Sequence, residues 1–309
     1  MGKANKPSKP TAPKPGSKPV LAKPVLAKSV LIISSKAGSI TPEINLKLRA
    51  AFTDGIVLEF DPKNDFRRYI TEDARVVVAG GDGTIGFISR ALVDSKHTLG
   101  ILSMGTYNNF AKSLGMPANL DQAIEVIRTG VAHRITIGRV NGNPFLEAAA
   151  IGMFGAAIEL GEAAKDRTFG ELGKKLTAVT GAKPFRYEIT GDIQGHGMAL
   201  SLVFANTPSI GAAMPVADAT PIDPYLELSV HAGESRTDIL SRLLSGHVRG
   251  RGEGGLEMGF RFRKIRITTK PKINVFADNM NAGDTPAEIA AEIGALNILL
   301  APKVAPPRS

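Results

Sequence analysis

Arg75-Val76-Val77-Val78-Ala79-Gly80-Gly81-Asp82-Gly83-Thr84-Ile85-Gly86 runs from a β-branched stretch into three glycines around one acid. Helical spacing follows at Ile85, Ile88, Leu92 and Val93. A strand that ends at glycines and reopens as a helix is the turn of a parallel βα unit. Glycine permits positive φ and close backbone approach. The amides of such a turn and of the helix N-terminus converge on one point, a natural phosphate cradle. A plain tight turn is the alternative. Three glycines flanking an acid between strand and helix argue against it.

The same alternation extends on both sides. Apolar runs predict strands at Val30–Ile33, Ile56–Phe60 and Thr98–Met104. Thr41-Pro42-Glu43 reads as a helix cap, a proline at the first helical position and an acid in the first turn. Helices are expected over Thr84–Asp94 and Asn108–Leu114, and from Asn119, with Gln122 three residues on, to Ile127. Beyond about Arg134 the period becomes two. Ile135 and Ile137, Tyr187 and Ile189, Leu226, Leu228 and Val230, and Ile265 and Ile267 each alternate with polar residues. These predict half-exposed antiparallel strands, with helices near 156–166 and 236–245. The expected fold class is α/β. A doubly wound, mainly parallel sheet would occupy 29–134 and an antiparallel β-sandwich domain 135–302.

The chain has 309 residues and a formal charge of +9. Seven lysines and no acid lie in residues 1–28, and Lys303 and Arg308 lie near the other end, so the body between them is neutral. Residues 1–28 also hold six prolines and a tandem KPVLA repeat, so they read as a disordered tail, and 303–309 as a second one. The tail is a solubilising segment or a tether to anionic lipid. A neutral body with basic ends argues against a nucleic-acid binder. Cysteine is absent, which excludes thiolate chemistry and Cys-based zinc sites and fits a reducing compartment. None of the five histidines has the i, i+4 spacing of a helical metal pair. The longest apolar run, Ala148–Ile158, is far short of the roughly 20 residues a spanning helix needs. The N-terminus has no apolar secretory segment. A cytoplasmic protein, peripheral to membrane at most, is expected.

Gly81-x-Gly83-x-x-Gly86 also matches the dinucleotide fingerprint. That reading needs an acid at the end of the next strand. Ile101-Leu102-Ser103-Met104-Gly105-Thr106 supplies none, and no G-x-x-x-x-G-K-[ST] occurs. The next strand instead ends in a second turn, Gly105-Thr106-Tyr107-Asn108-Asn109-Phe110. Neighbouring strand ends line one crevice in a doubly wound sheet. The two turns together form one candidate nucleotide site.

These segments resemble the diacylglycerol kinase catalytic-domain family, specifically the soluble bacterial lipid kinases. Gly80-Gly81-Asp82-Gly83-Thr84 is that family's GGDGT. Gly105-Thr106-x-Asn108-x-Phe110-Ala111, followed by Ser113-Leu114-Gly115-Met116-Pro117, matches its GTxNDFAR and SLGIP segments. Ile151-Gly152-Met153-Phe154 is similar to the motif opening its second domain. Val203–Asn206 and Met214–Leu228 resemble later strands, and Asp278–Pro286 aligns with its DGEPLGxTP. The likeness covers roughly 29–302.

The resemblance implies an ATP- and Mg²⁺-dependent kinase for a lipid hydroxyl such as that of diacylglycerol, with lipid entering between the two domains. Gly80, Gly81, Asp82, Gly83, Thr84, Ile85, Gly86, Thr106 and Asn108 would hold ATP. Asp82 would help organise Mg²⁺, and Asp223 stands in the segment that holds a structural Mg²⁺ in some relatives. Asp278 is the candidate catalytic base. There are departures: Met280 stands at the DGE glutamate, Asn279 at its glycine, Asn109 at the aspartate of GTxND, and Lys112 at the arginine after FA. The tripeptide Gly211-Ala212-Ala213 replaces three glycines. Asp278 or Asp284 would then take the proton-accepting role, or the chain binds nucleotide with little turnover as a regulator. A general base contributes about 10²–10⁴-fold.

The run 249–272 carries eight basic residues against two acids. It reads as the solvated face of strands or as a contact with anionic membrane. A homodimer is compatible with the sequence. An NAD kinase also carries GGDGT, but Asn108-Asn109-Phe110 argues against it. Nucleic acid ranks last, since only Phe260 and Phe262 are placed for stacking.

Overall fold

A computed structural model describes residues 27–302 apart from Lys36, Gly38, 156–181, Ala212, Ala213, 232–255 and Asn279. The helices expected near 156–166 and 236–245, most of the basic tail and the start of the 249–272 run lie outside the described residues.

β1 (Ala27–Ile33), β2 (Ile56–Glu59), β3 (Ile70–Gly80) and β4 (Thr98–Ser103) pair in parallel in the order β2-β1-β3-β4. α1 (Pro42–Ala51) links β1 to β2, α2 (Asp82–Leu92) links β3 to β4, and α3 (Asn109–Ser113) and α4 (Leu120–Thr129) follow β4. Thr41 caps α1 by accepting from the Ile44 amide at 3.3 Å, and Asn119 caps α4 by accepting from Gln122 at 3.2 Å. β1 begins two residues inside the segment expected to be a tail.

The remaining strands are β5 (Val131–Val140), β6 (Asn143–Phe145), β7 (Ala148–Gly152), β8 (Phe185–Gly191), β9 (Gly195–Ala199), β10 (Ser201–Ala205) and β11 (Ser209–Ile210). They continue as β12 (Met214–Pro215), β13 (Leu226–His231), β14 (Leu256–Phe262), β15 (Lys264–Lys270), β16 (Asn274–Ala277), β17 (Met280–Asp284) and β18 (Ala287–Leu300). The first sheet continues past β4 as β18-β15-β8-β9, with β5 and β6 on the other side of β18. A second sheet has the order β14-β13-β10-β7-β16-β17, antiparallel throughout.

β18 joins the two halves. Its first part pairs with β15 through Ile265↔Ile289 and Ile267↔Ala287. Gly294 then adopts φ 71, and the register with β5 slips between Glu292 and Leu296. Past this bulge the strand lies parallel to β4 through Asn297↔Thr98 and Ile298↔Leu99. A bulge re-aims a strand without ending it. The domain boundary expected near 134 therefore falls within β5, which pairs with β18 along nearly its whole length.

Burial follows the layers. Val30, Ile32, Val76 and Val78 face α2 and α3 with Ile85, Ile88 and Phe110. Leu31, Ile33, Val77 and Ala79 face the other way with Leu48, Ala123, Ile124 and Ile127. Parallel strands covered on both faces read as unbroken apolar runs, which is why Val76–Ala79 lacks alternation. A third core fills the space between the two sheets, with Phe145, Ile151, Phe204, Leu226, Leu228, Ile265 and Ile289. One expectation is corrected here. β13 is buried along its whole length, including Glu227, Ser229 and His231, and is not half-exposed. It is paired on both sides, by β14 and β10, and its outer face is covered as well: the Phe154 ring packs 4.6 Å from that of His231, and the Ser229 hydroxyl donates to the Val216 carbonyl.

Candidate phosphate site and the junction beneath it

The two glycine turns cross at backbone contact. A Cβ on Gly105 would stand 2.8 Å from the Gly81 Cα and 2.8 Å from Asn108 Oδ1. On the Gly105 side only glycine permits this approach, and a Cβ on Gly81 would be tight against the Gly105 Cα at 3.3 Å. The Met104 amide donates to the Gly80 carbonyl at 2.7 Å, so the strand ends are already in register when the turns meet. Asn108 adopts φ 53 and does not cap α3 with its side chain. It closes its own turn instead, accepting from Gly105 N at 3.0 Å and donating to Gly105 O at 2.9 Å.

Asp82 ties the turns together. Its Oδ2 accepts from the Asn108 backbone amide at 2.9 Å. Its Oδ1 is buried and has no hydrogen-bond partner among the described residues. A buried carboxylate oxygen without a donor is costly. α2 opens directly at Asp82 with Gly81 as an N-cap that makes no side-chain bond, so the first-turn amides stay available. The position above Gly83 is open space. Thr106 and Tyr107 are exposed on the second turn. Ile85, by contrast, is a core residue, fully buried with Ile88.

Gly86 has a different partner from the other glycines of its motif. A Cβ there would come within 3.2 Å of the Arg90 guanidinium, which folds back along α2. Arg90 Nη1 lies 2.9 Å from Asp278 Oδ2, with side chains only 16% and 12% exposed. Asp278 sits in the turn between β16 and β17 at φ 51. Its Oδ1 accepts from Glu147 N at 2.9 Å and Leu146 N at 3.2 Å, and its Oδ2 from Leu146 N at 3.0 Å. Both oxygens are thus engaged by two amides and a guanidinium. Met280, beside it on β17, is 40% exposed, and Asp284 is exposed at the far end of that strand.

The structure therefore brings Asp82, Asn108 and the glycines of both turns to one place. It brings Asp278 to α2 through Arg90. Asp223 is elsewhere. It is buried, and its Oδ2 accepts from the Thr220 amide and hydroxyl at 2.8 and 2.9 Å, closing its own turn. Burial pushes the nearby Glu227 carboxyl above the usual range; Arg261 opposes this and Asp223 adds to it. Among the described residues no three His, Asp or Glu stand together as metal ligands. A cavity of about 300 Å³ lined by Arg139, Arg263, Lys264, Glu288 and Glu292 contains none of the motif residues.

Two residues of this junction escaped the sequence reading, Arg90 and Glu147. Glu147 Oε2 accepts from Asn109 Nδ2 at 3.2 Å, and Asn109 is 3% exposed. These contacts span 188 and 38 residues of chain. No local spacing signals either of them.

Comparison with known proteins places similar sequences and a similar fold beside this one. Residues 30–140 match the diacylglycerol kinase catalytic domain. A Salmonella arizonae protein named as a probable lipid kinase, YegS, is 34% identical over 187 residues, which cover 56% of this chain and 62% of that protein. A Staphylococcus haemolyticus protein whose name makes it a lipid-kinase candidate is 25% identical over 279 residues, 84% of this chain and 87% of its own. The match to YegS thus spans less than two thirds of that relative's length. The crystal structure of a diacylglycerol kinase from Bacillus anthracis shares the fold, with a TM-score of 0.69 at 23% identity over 90% of this chain and 98% of that one. Residues 30–140, which carry both glycine turns, are thus the part of this chain that matches the diacylglycerol kinase catalytic-domain family.

Proposed function

We propose that this protein is an ATP- and Mg²⁺-dependent phosphotransferase acting on the hydroxyl of a membrane lipid such as diacylglycerol. The observation that carries the reading is the crossing of Gly81 and Gly105 beneath the open N-terminus of α2, with Asp82 bridging the two turns. Helix-terminal amides suit phosphate. Mg²⁺ is commonly held by one or two carboxylates together with substrate phosphates. Asp82 Oδ1, without a partner among the described residues, fits that role, and no larger protein ligand set is required. The cation would neutralise charge that develops on transfer. The names of the relatives support lipid as the acceptor class.

Arg263, Lys264, Arg266, Lys270 and Lys272 are exposed on and beside β15. Such a row suits an anionic membrane surface. No helix among the described residues is long and apolar enough to cross a membrane. We place the protein in the cytoplasm, peripheral to the bilayer its substrate occupies.

The test is direct. Calorimetry should show ATP binding that depends on Mg²⁺. Incubation with labelled ATP and a lipid panel should give a labelled phospholipid. A second reading, nucleotide binding without turnover, is favoured by the full engagement of Asp278 and by the exposed thioether of Met280. It predicts stabilisation by ATP without transfer, and a gain of transfer on Met280→Glu.

A further inference from the structure

The engagement of Asp278 leaves open which group takes the proton from the acceptor hydroxyl. Resting on the reading of the chain as a lipid phosphotransferase, we propose that Glu147, in the short link between β6 and β7, is the proton acceptor.

Glu147 stands where the separate motif segments meet. Its backbone amide donates to Asp278 Oδ1 at 2.9 Å. Its carbonyl accepts from the amides of Asn206 at 2.8 Å and Thr207 at 3.2 Å, and from the Thr207 hydroxyl at 3.3 Å. The main chain is thus fixed on both sides. Its carboxylate receives the Asn109 amide from the first residue of α3, directly after the second glycine turn. Through Asn108 and Asp82 that turn is bonded to the first. Glu147 is partly buried, between the sealed core of β7 and solvent. A base must be held rigidly and still be reached by the hydroxyl, and this placement meets both needs.

Asn109 shows that the carboxylate at 147 is built in. Its Nδ2 donates both to Glu147 Oε2 and to the Gly211 carbonyl at 2.8 Å, while Oδ1 accepts from Ser209 Oγ at 3.4 Å. Every partner of Nδ2 is an acceptor, so the position demands a donor. An acid at 109 would stand about as close to Glu147 as the Asn109 amide does, 3.2 Å, and two such acids do not readily ionise together. The pair therefore carries one carboxylate, and it belongs to Glu147. Through its backbone amide Glu147 also touches Asp278 and, behind that, Arg90.

The step balances. As the hydroxyl oxygen bonds to the γ-phosphorus, its proton passes to Glu147. The bond from that phosphorus to the bridging oxygen breaks, and its electron pair leaves with ADP. Glu147 then returns the proton to solvent.

Lipid phosphorylation and ATP·Mg²⁺ binding should be measured on the wild type, Glu147→Gln and Asn109→Asp. Gln retains an acceptor for Asn109, so the fold and the nucleotide affinity of Glu147→Gln should stay within about threefold, while kcat falls about 10²–10⁴-fold. Asn109→Asp sets two acids side by side, which raises the upper titration of the pair. The acid limb of its rate profile should move to higher pH, a change that a merely structural Glu147 would not produce. Transfer by Glu147→Gln within about threefold of an active wild type, or an unmoved acid limb in Asn109→Asp, overturns the assignment of Glu147 alone. A wild type that neither binds ATP·Mg²⁺ nor phosphorylates lipid overturns the functional reading, and Glu147 as base falls with it.

Discussion

Arg90 and Asp278 are 188 residues apart in the chain and 2.9 Å apart in the structure. The first lies in the last turn of the helix that the glycine motif opens. The second lies in the hairpin turn that the lipid-kinase resemblance singled out for chemistry. Their contact, with the amides of Leu146 and Glu147 added, clamps α2, the β6–β7 link and the β16–β17 turn around one carboxylate.

Breaking this clamp from one side leaves a charge largely out of water. Arg90→Met is expected to destabilise the protein by about 3 kcal/mol, the lower end for a buried pair because both side chains keep some solvent contact. Urea unfolding measures this. Adding Asp278→Asn should recover part of the loss. If the two substitutions simply add, the groups are not coupled.

The turn crossing is equally open to test. Gly105→Ala places a methyl group against the Gly81 backbone, where no side chain can move away. It should cost about 1–3 kcal/mol of stability. It should also weaken ATP binding at least tenfold, because the cradle and the second turn separate. Calorimetry with unchanged affinity would remove the crossing from the site.

Asp82→Asn separates the two tasks assigned to Asp82. The amide oxygen still accepts from Asn108 N, so the melting temperature should change little. The negative charge is gone, so the Mg²⁺ dependence of ATP binding should fall by about tenfold or more. Equal Mg²⁺ dependence in variant and wild type would refute Asp82 as the cation's ligand.

His97 should make stability sensitive to mild acid. Burial holds its pKa below the ordinary value of 6.5; a hydrogen bond to the Ala74 backbone opposes this, and Arg67 adds to the lowering. The folded state therefore prefers the neutral ring. Its contribution is fully present above the unfolded pKa and is lost as pH falls through the folded one. Unfolding midpoints should drop between about pH 7 and pH 5, and they should drop less in His97→Gln. An identical drop in both proteins would clear His97 of the effect.

Much of this molecule was legible from residue order. The helix starts at Thr41 and Asn119 and the strand core Arg75–Ala79 are local events, set by proline, capping side chains and β-branching within a few residues, whereas β3 itself begins earlier, at Ile70. The glycine turns were legible for the same reason, since a backbone that must approach another writes glycine at that position. Less was visible in the second half. Alternation in Leu226–His231 predicts one solvent face, but burial depends on what covers a strand, and the cover at Phe154 and Val216 is distant in sequence. Asn109 read only as a departure from a family pattern. The reason it is an amide is Glu147, which no spacing rule connects to it.

The sequence by itself determined where the turns fall, which residues open the helices and which fold family receives them, because these depend on dihedral preference and short-range periodicity. Only the tertiary structure decided which acid is consumed in holding the two halves together and which stands beside the crevice. Hydrogen-bond saturation of a carboxylate is set by neighbours that chain order does not bring near.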